Sequence, residues 1–302
     1  MKLPVLSKTR MLTPTPEERL TARPAVVLLL FALVMSLSQL GRMAVELLAV
    51  FLIPNSLSGT TRILITLFAT AVTVAAVLIY CLAVERRSPV SLGFVRRGAV
   101  WEYAVGLLGG LLMFGLAVLL CVWTGSLTLA PSPEAPAAPL MALCLLGFLI
   151  QGMSEELLCR SYLMVSLSRG WPLWACAIAN ALFFSLLHLG NPGVSPVALI
   201  NIFLFGLFAS FLTLRRGSIW MVGGLHSMWN FAQGNLFGIP VSGLVGIPSP
   251  LRAVLAEGSR EAWINGGAFG LEGGLAVTAV LGVSCIAVLL IPTKRSEITE
   301  NF

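Results

Sequence analysis

The sequence has no aspartate: all 13 acidic residues are glutamates, and only two histidines, His188 and His226, accompany them. A mechanism built on an aspartate pair is therefore excluded. Charge of either sign is scarce, at 11% of residues against about 25% in soluble domains. No His-Glu-x-x-His run exists, because Leu189 follows His188 and Ser227 follows His226, so a zincin site fails. A Gly-x-Ser-x-Gly nucleophile elbow is also missing. The six cysteines all fall inside apolar blocks without Cys-x-x-Cys spacing and read as small buried hydrophobes.

What is present is apolar. Of 302 residues, 57% are hydrophobic, and the mean hydropathy is +0.93. These residues come in long blocks with no heptad or period-2 scatter, which excludes a soluble enzyme, a disordered chain and an outer-membrane barrel. The pattern predicts an all-α polytopic membrane protein. A span takes about 20 apolar residues, and eight are read at 24–53, 61–84, 101–123, 139–167, 172–190, 194–214, 218–238 and 267–292. They form one bundle, with the stretches Ala130–Pro139 and Ile239–Gly267 as connectors and no internal repeat. The organisation is a cytoplasmic N-terminal segment 1–23, a transmembrane domain 24–292 and a cytoplasmic tail 293–302. The first span is too long for a secretory signal and is read as uncleaved. Within it, Arg42 and Glu46 lie one helical turn apart and are expected to pair.

Charge alternates between connectors. Arg86, Arg87, Arg96 and Arg97 follow the second span, Arg169 the fourth, Arg215 and Arg216 the sixth, and Lys294 and Arg295 the eighth. The opposite connectors are poor in cations: Arg62 stands in one, while Arg252 and Arg260 are offset by Glu257 and Glu261 in another. Positive-inside logic places both termini in the cytoplasm, and Trp101, Trp171, Trp174 and Trp220 mark the interface on that side. The net charge of +6 then reports orientation and calls for no nucleic acid. The location expected is the plasma membrane of a prokaryote.

A charge at mid-bilayer costs about 2.5–3.5 kcal/mol on insertion scales, so intramembrane ionisable groups are functional candidates. The fourth span carries Gln151-Gly-Met-Ser-Glu155-Glu156 and then Arg160, the fifth Phe184 and His188, and the seventh His226 and Asn230. Glu156 and Arg160 make an i,i+4 pair in the favourable order. Glu155 is rotated about 100° from its neighbour and lacks that partner. An unpaired glutamate beside a second carboxylate suits a general base. Glu155 stands 16 residues before Trp171 and His188 stands 17 after it, each about 25 Å along an antiparallel hairpin, so the two are level. His226, 9 residues past Gly217, reaches only about 14 Å and matches that depth only with tilt or a projecting hairpin. Each group alone also has a structural reading: a buried ion pair, a core histidine, or an asparagine joining helices. Their convergence favours a site.

The motifs Glu155-Glu156-x-x-x-Arg160, Phe184-x-x-x-His188 and His226-x-x-x-Asn230 resemble those of the CPBP family, the CaaX prenyl proteases and bacteriocin-processing enzymes, also called the Abi or type II CaaX endopeptidase family. Arg216-Gly-Ser-Ile-Trp220, Gly224-Leu-His226 and the glycine-rich stretch around Glu272 resemble its flanking text. The resemblance covers about residues 80–292 and is strongest over 151–231. It implies an eight-helix intramembrane endopeptidase with a site opening toward the cytoplasm. Glu155 and His188 would activate water, and His226 and Asn230 would stabilise the oxyanion. Glu156 and Arg160 would support the base, and Phe184 would pack.

The expected chemistry is free of cofactors. A zinc ion held by Glu155, His188 and His226 is the alternative. A proton-relaying transporter or a non-catalytic immunity protein on the same fold are competing readings, although no inverted repeat supports transport. The expected partners are the bilayer and a membrane-associated protein or peptide.

Overall fold

The computed structural model describes residues 9–19, 21–52, 59–256 and 258–290. The protein is mostly helical. Five helices are long and apolar enough to cross a membrane: α1 (Pro24–Leu52), α2 (Gly59–Val84), α3 (Ala99–Trp123), α4 (Ala138–Leu167) and α6 (Pro196–Arg216). Two shorter apolar helices are α5 (Leu173–Leu186) and α9 (Leu275–Leu290). Between them lie α7 (Trp220–Phe231), continued by a π-turn at Ala232–Leu236, and the short α8 (Ser259–Asn265). The chain is an integral membrane protein. Its lipid-facing character shows in α1, where Leu29, Leu33, Leu37, Leu40 and Leu47 are exposed while Val27, Phe31 and Val34 are buried.

Local chemistry sets the helix ends. Pro196 opens α6, where Ser195 accepts the amide of Ala198, and Gly217 closes it in the left-handed region at φ 61°. These are the usual start and stop devices. The last helix begins at Leu275, eight residues after the expected start at 267. Residues Gly267–Phe269 and Leu271–Gly273 form two 3-10 turns instead. Glycines crowd this stretch, and Gly270 takes φ 94°, ψ −178°, outside helical geometry. The all-α expectation also needs correction. Strand β1 (Leu127–Pro131) pairs antiparallel with β2 (Leu251–Leu255), Leu127 opposite Leu255. Both strands lie in stretches read as connectors, and their pairing joins residues more than a hundred positions apart.

The expected Arg42–Glu46 pair does not form: no ion pair joins them among the described residues. Arg42 lines the large cavity described below, and Glu46 lines a separate pocket with Arg62. The N-terminal segment is partly integrated into the fold. Met11 and Leu12 are buried, and Glu18 meets Arg169 at 3.5 Å. Residues 293–302, with Lys294 and Arg295, fall outside the described residues.

Helix α7 is wedged against α3 and α4 by residues without side chains. A Cβ on Gly106 would stand 2.1 Å from the Met221 carbonyl oxygen, and one on Gly110 would stand 2.2 Å from that of Leu225. On α4, a Cβ on Gly152 would meet Ser227 Oγ at 2.6 Å. Close approach through small residues is how membrane helices gain packing where burial from water no longer drives association. It fixes the height of His226 and Asn230 beside α4.

Candidate active site

Two adjacent glutamates at the end of the regular part of α4 have opposite surroundings. Glu156 is fully buried. Its Oε1 accepts from Arg160 Nη1 at 3.1 Å and from His226 Nδ1 at 2.7 Å. Arg160 stands on a π-helical turn, Leu157–Met164, and also donates to the Gly206 carbonyl at 3.2 Å. Its guanidinium lies 4.4 Å from the centroid of the Phe184 ring. Glu155 keeps 31% of its side chain exposed and faces a cavity of about 490 Å³. It is not left without polar neighbours: Gln151 Nε2 donates to its Oε1 at 2.7 Å, and its Oε2 stands 3.6 Å from His226 Nε2.

His226 therefore reaches the glutamates, and the depth mismatch expected from its spacing is not realised. Its ring lies between the two carboxylates, with Nδ1–H donating to Glu156. Asn230, one turn further along α7, donates from Nδ2 to Gln151 Oε1 at 2.9 Å. The amide of Gln151 thus passes a hydrogen bond from Asn230 to Glu155. The sequence reading left Gln151 unassigned, though its i−4 position relative to Glu155 is the signal that places it on the same face.

His188 lies past the end of α5, which stops at Leu186, in the turn that follows. Its Nδ1–H donates to the Phe184 carbonyl at 2.8 Å. That bond leaves Nε2 as the acceptor, and the residue lines the same cavity as Glu155, His226 and Asn230. Phe184 packs in the wall, 4.9 Å from the His188 ring and 6.0 Å from that of Phe205, centroid to centroid.

A second carboxylate in the cavity, Glu272, carried no assignment from sequence. Its Oε2 accepts from the Ser242 amide at 2.9 Å and the Ser242 hydroxyl at 2.7 Å, and its Oε1 accepts from Trp229 Nε1 at 3.3 Å. Asn191 Nδ2 holds the same segment through the Ser242 carbonyl at 3.0 Å. Glu272 is thus occupied in clamping the strap around Val241–Gly243 over the cavity. Arg42 contributes a guanidinium to the wall, with a buried Nε that makes no hydrogen bond.

Glu155, His188 and His226 do not make a metal cage: among the described residues no three His, Cys or Glu side chains gather to hold an ion. His226 commits Nδ1 to Glu156 and His188 commits Nδ1 to a backbone carbonyl, which leaves Nε2 of each ring outside those bonds.

Residues 137–232 match the family model described as Type II CAAX prenyl endopeptidase Rce1-like. Over that stretch the chain is similar to the Rce1-like type II CAAX prenyl endopeptidases. No curated protein matches the chain. The matched residues include α4 through α7 and every histidine and paired glutamate of the cavity. Glu272 and Arg42 lie outside them. The model describes a family of endopeptidases.

Proposed function

We propose that the protein is an intramembrane endopeptidase that hydrolyses a peptide bond with Glu155 as general base and without a metal ion. One observation carries this reading: of two adjacent glutamates, one is buried and neutralised by Arg160 while the other is left facing water-accessible space. Neighbouring carboxylates in contrasting surroundings are the arrangement by which acid–base roles are divided. Glu155 takes a proton from water, and His188 Nε2 orients that water by accepting its second hydrogen. The hydroxide adds to the scissile carbonyl carbon. The second N–H of the Asn230 amide and the His226 ring face the oxyanion. Collapse breaks the C–N bond as Glu155 returns its proton to the leaving amine. Glu156 and Arg160 hold His226 and the floor of the cavity in place.

Eight spans in one domain over 24–292, with both termini cytoplasmic, accommodate this chemistry. The five long helices, α5, α7 and α9 supply the segments, and the cation-rich connectors supply the orientation. The endopeptidase family match favours hydrolysis over proton relay or solute binding.

Glu155→Gln should lower cleavage by about 10²–10⁴-fold while membrane insertion and the melting temperature in detergent stay unchanged. Comparison of protein C-termini and membrane peptides from cells carrying either form reads this directly. Full cleavage by the intact variant would end the proposal.

A further inference from the structure

The connectors of the bundle gather into two caps. In the first, Arg19 N–H bonds the Glu85 carbonyl at 2.7 Å, Arg169 bonds the Leu12 carbonyl, and Ile219 N–H bonds Gly93 at 3.0 Å. Residues 9–19, 85–98, 168–172 and 217–219 are thereby joined. In the second, Gly243 N–H bonds Phe269 at 3.1 Å, Ala256 N–H bonds Ser126 at 3.0 Å, and Asn191 reaches Ser242. Because the helices run between them, these caps lie at opposite ends of the molecule. Exposed Arg86, Arg96 and Arg97 belong to the first.

The catalytic cavity belongs to the second end. Its rim includes Pro192 and Val245, both exposed, and Asn191, Ser242 and Glu272 come from the same connectors. No lining residue comes from the first cap. Between the cavity and that cap stand fully buried Glu156 and Arg160 and the buried π-turn Leu157–Met164. The floor is closed toward the arginines and the mouth faces away from them.

We infer that the cavity is entered from the extracytoplasmic face, and that the enzyme cleaves an exported or membrane-anchored polypeptide segment presented there. This rests on the proposed endopeptidase reading for its chemistry, but not for its geometry. Exposed arginines fix the first cap in the cytoplasm because cationic connectors resist translocation. A mouth at the other end then receives water and peptide from outside. The two expectations drawn from sequence, a cytoplasmic arginine-rich face and a site open to the cytoplasm, are incompatible in this fold.

Single cysteines test the inference, since all six native cysteines are buried. Val245→Cys marks the rim, and Thr15→Cys marks the first cap, where Thr15 is exposed. A membrane-impermeant maleimide should label Val245→Cys in intact cells and Thr15→Cys only in inverted vesicles, with both labelled in detergent. Labelling of Val245→Cys from the cytoplasmic side, or of both positions from one side, would overturn the inference. The labelling does not depend on catalysis. Correct labelling without Glu155-dependent cleavage would therefore sink the endopeptidase reading alone. Glu155-dependent cleavage confined to cytoplasmic segments would sink the entry side alone.

Discussion

At the scale of residues, burial decides what neighbouring groups do. Glu156, Arg160 and His226 form a dry, mutually compensating set, so each is expensive to remove. Arg160→Ala leaves buried Glu156 without its guanidinium partner. It should destabilise the protein by about 3–5 kcal/mol, read as a lowered denaturation midpoint in detergent. Asn230→Ala should leave stability close to wild type and lower cleavage by about 10²–10³-fold, the loss expected for one oxyanion donor. The sequence identified these residue types and their faces. It did not show that Gln151 joins Asn230 to Glu155, because a bridge between helices depends on which helices meet.

At the scale of elements, α7 is positioned by the glycines of α3 and α4. Gly110→Val puts a side chain where the Leu225 carbonyl already stands. Overpacking of this kind costs about 1–3 kcal/mol, and here it also shifts α7. Both the melting temperature and the cleavage rate should fall, whereas the same change at Gly115, with open space around it, should leave cleavage unchanged. The spacing argument for His226 reaches its limit at this scale. Residue counts from a turn assume parallel, level helices, and neither the π-turn in α4 nor the depth at which α7 docks is encoded in them. The last helix was placed too early for a related reason: hydropathy does not distinguish apolar helix from an apolar, glycine-rich coil. That coil is what brings Glu272 back to clamp Ser242.

At the scale of the whole molecule, the arginine-rich end is a packed structure as well as a topological signal. Arg87 is buried there, its Nε 2.6 Å from Glu85 Oε2, with further donation to the Ser161 carbonyl and the Ser166 hydroxyl. Just beyond α2, burial raises the Glu85 carboxyl above its ordinary range, and Arg87 opposes the shift. A carboxyl whose folded pKa is raised favours the fold fully below its unfolded value, about 4.3. That contribution is lost as pH rises through the folded value. Melting in detergent should show a loss of stability over this window, and Glu85→Gln should remove that component. No such component in the wild type would mean that Arg87 outweighs burial.

The sequence by itself determined that this chain lives in a membrane, because its apolar residues have no other solvent. It also determined which face carries the arginines, and it singled out two glutamates, two histidines and an asparagine as candidates for the chemistry, because such groups are costly in a bilayer. Only the tertiary structure decided which glutamate is neutralised, that Gln151 and Glu272 belong to the cavity, and at which end the cavity opens. These depend on close contacts between helices distant in sequence and on the path of irregular connectors, and hydropathy records neither.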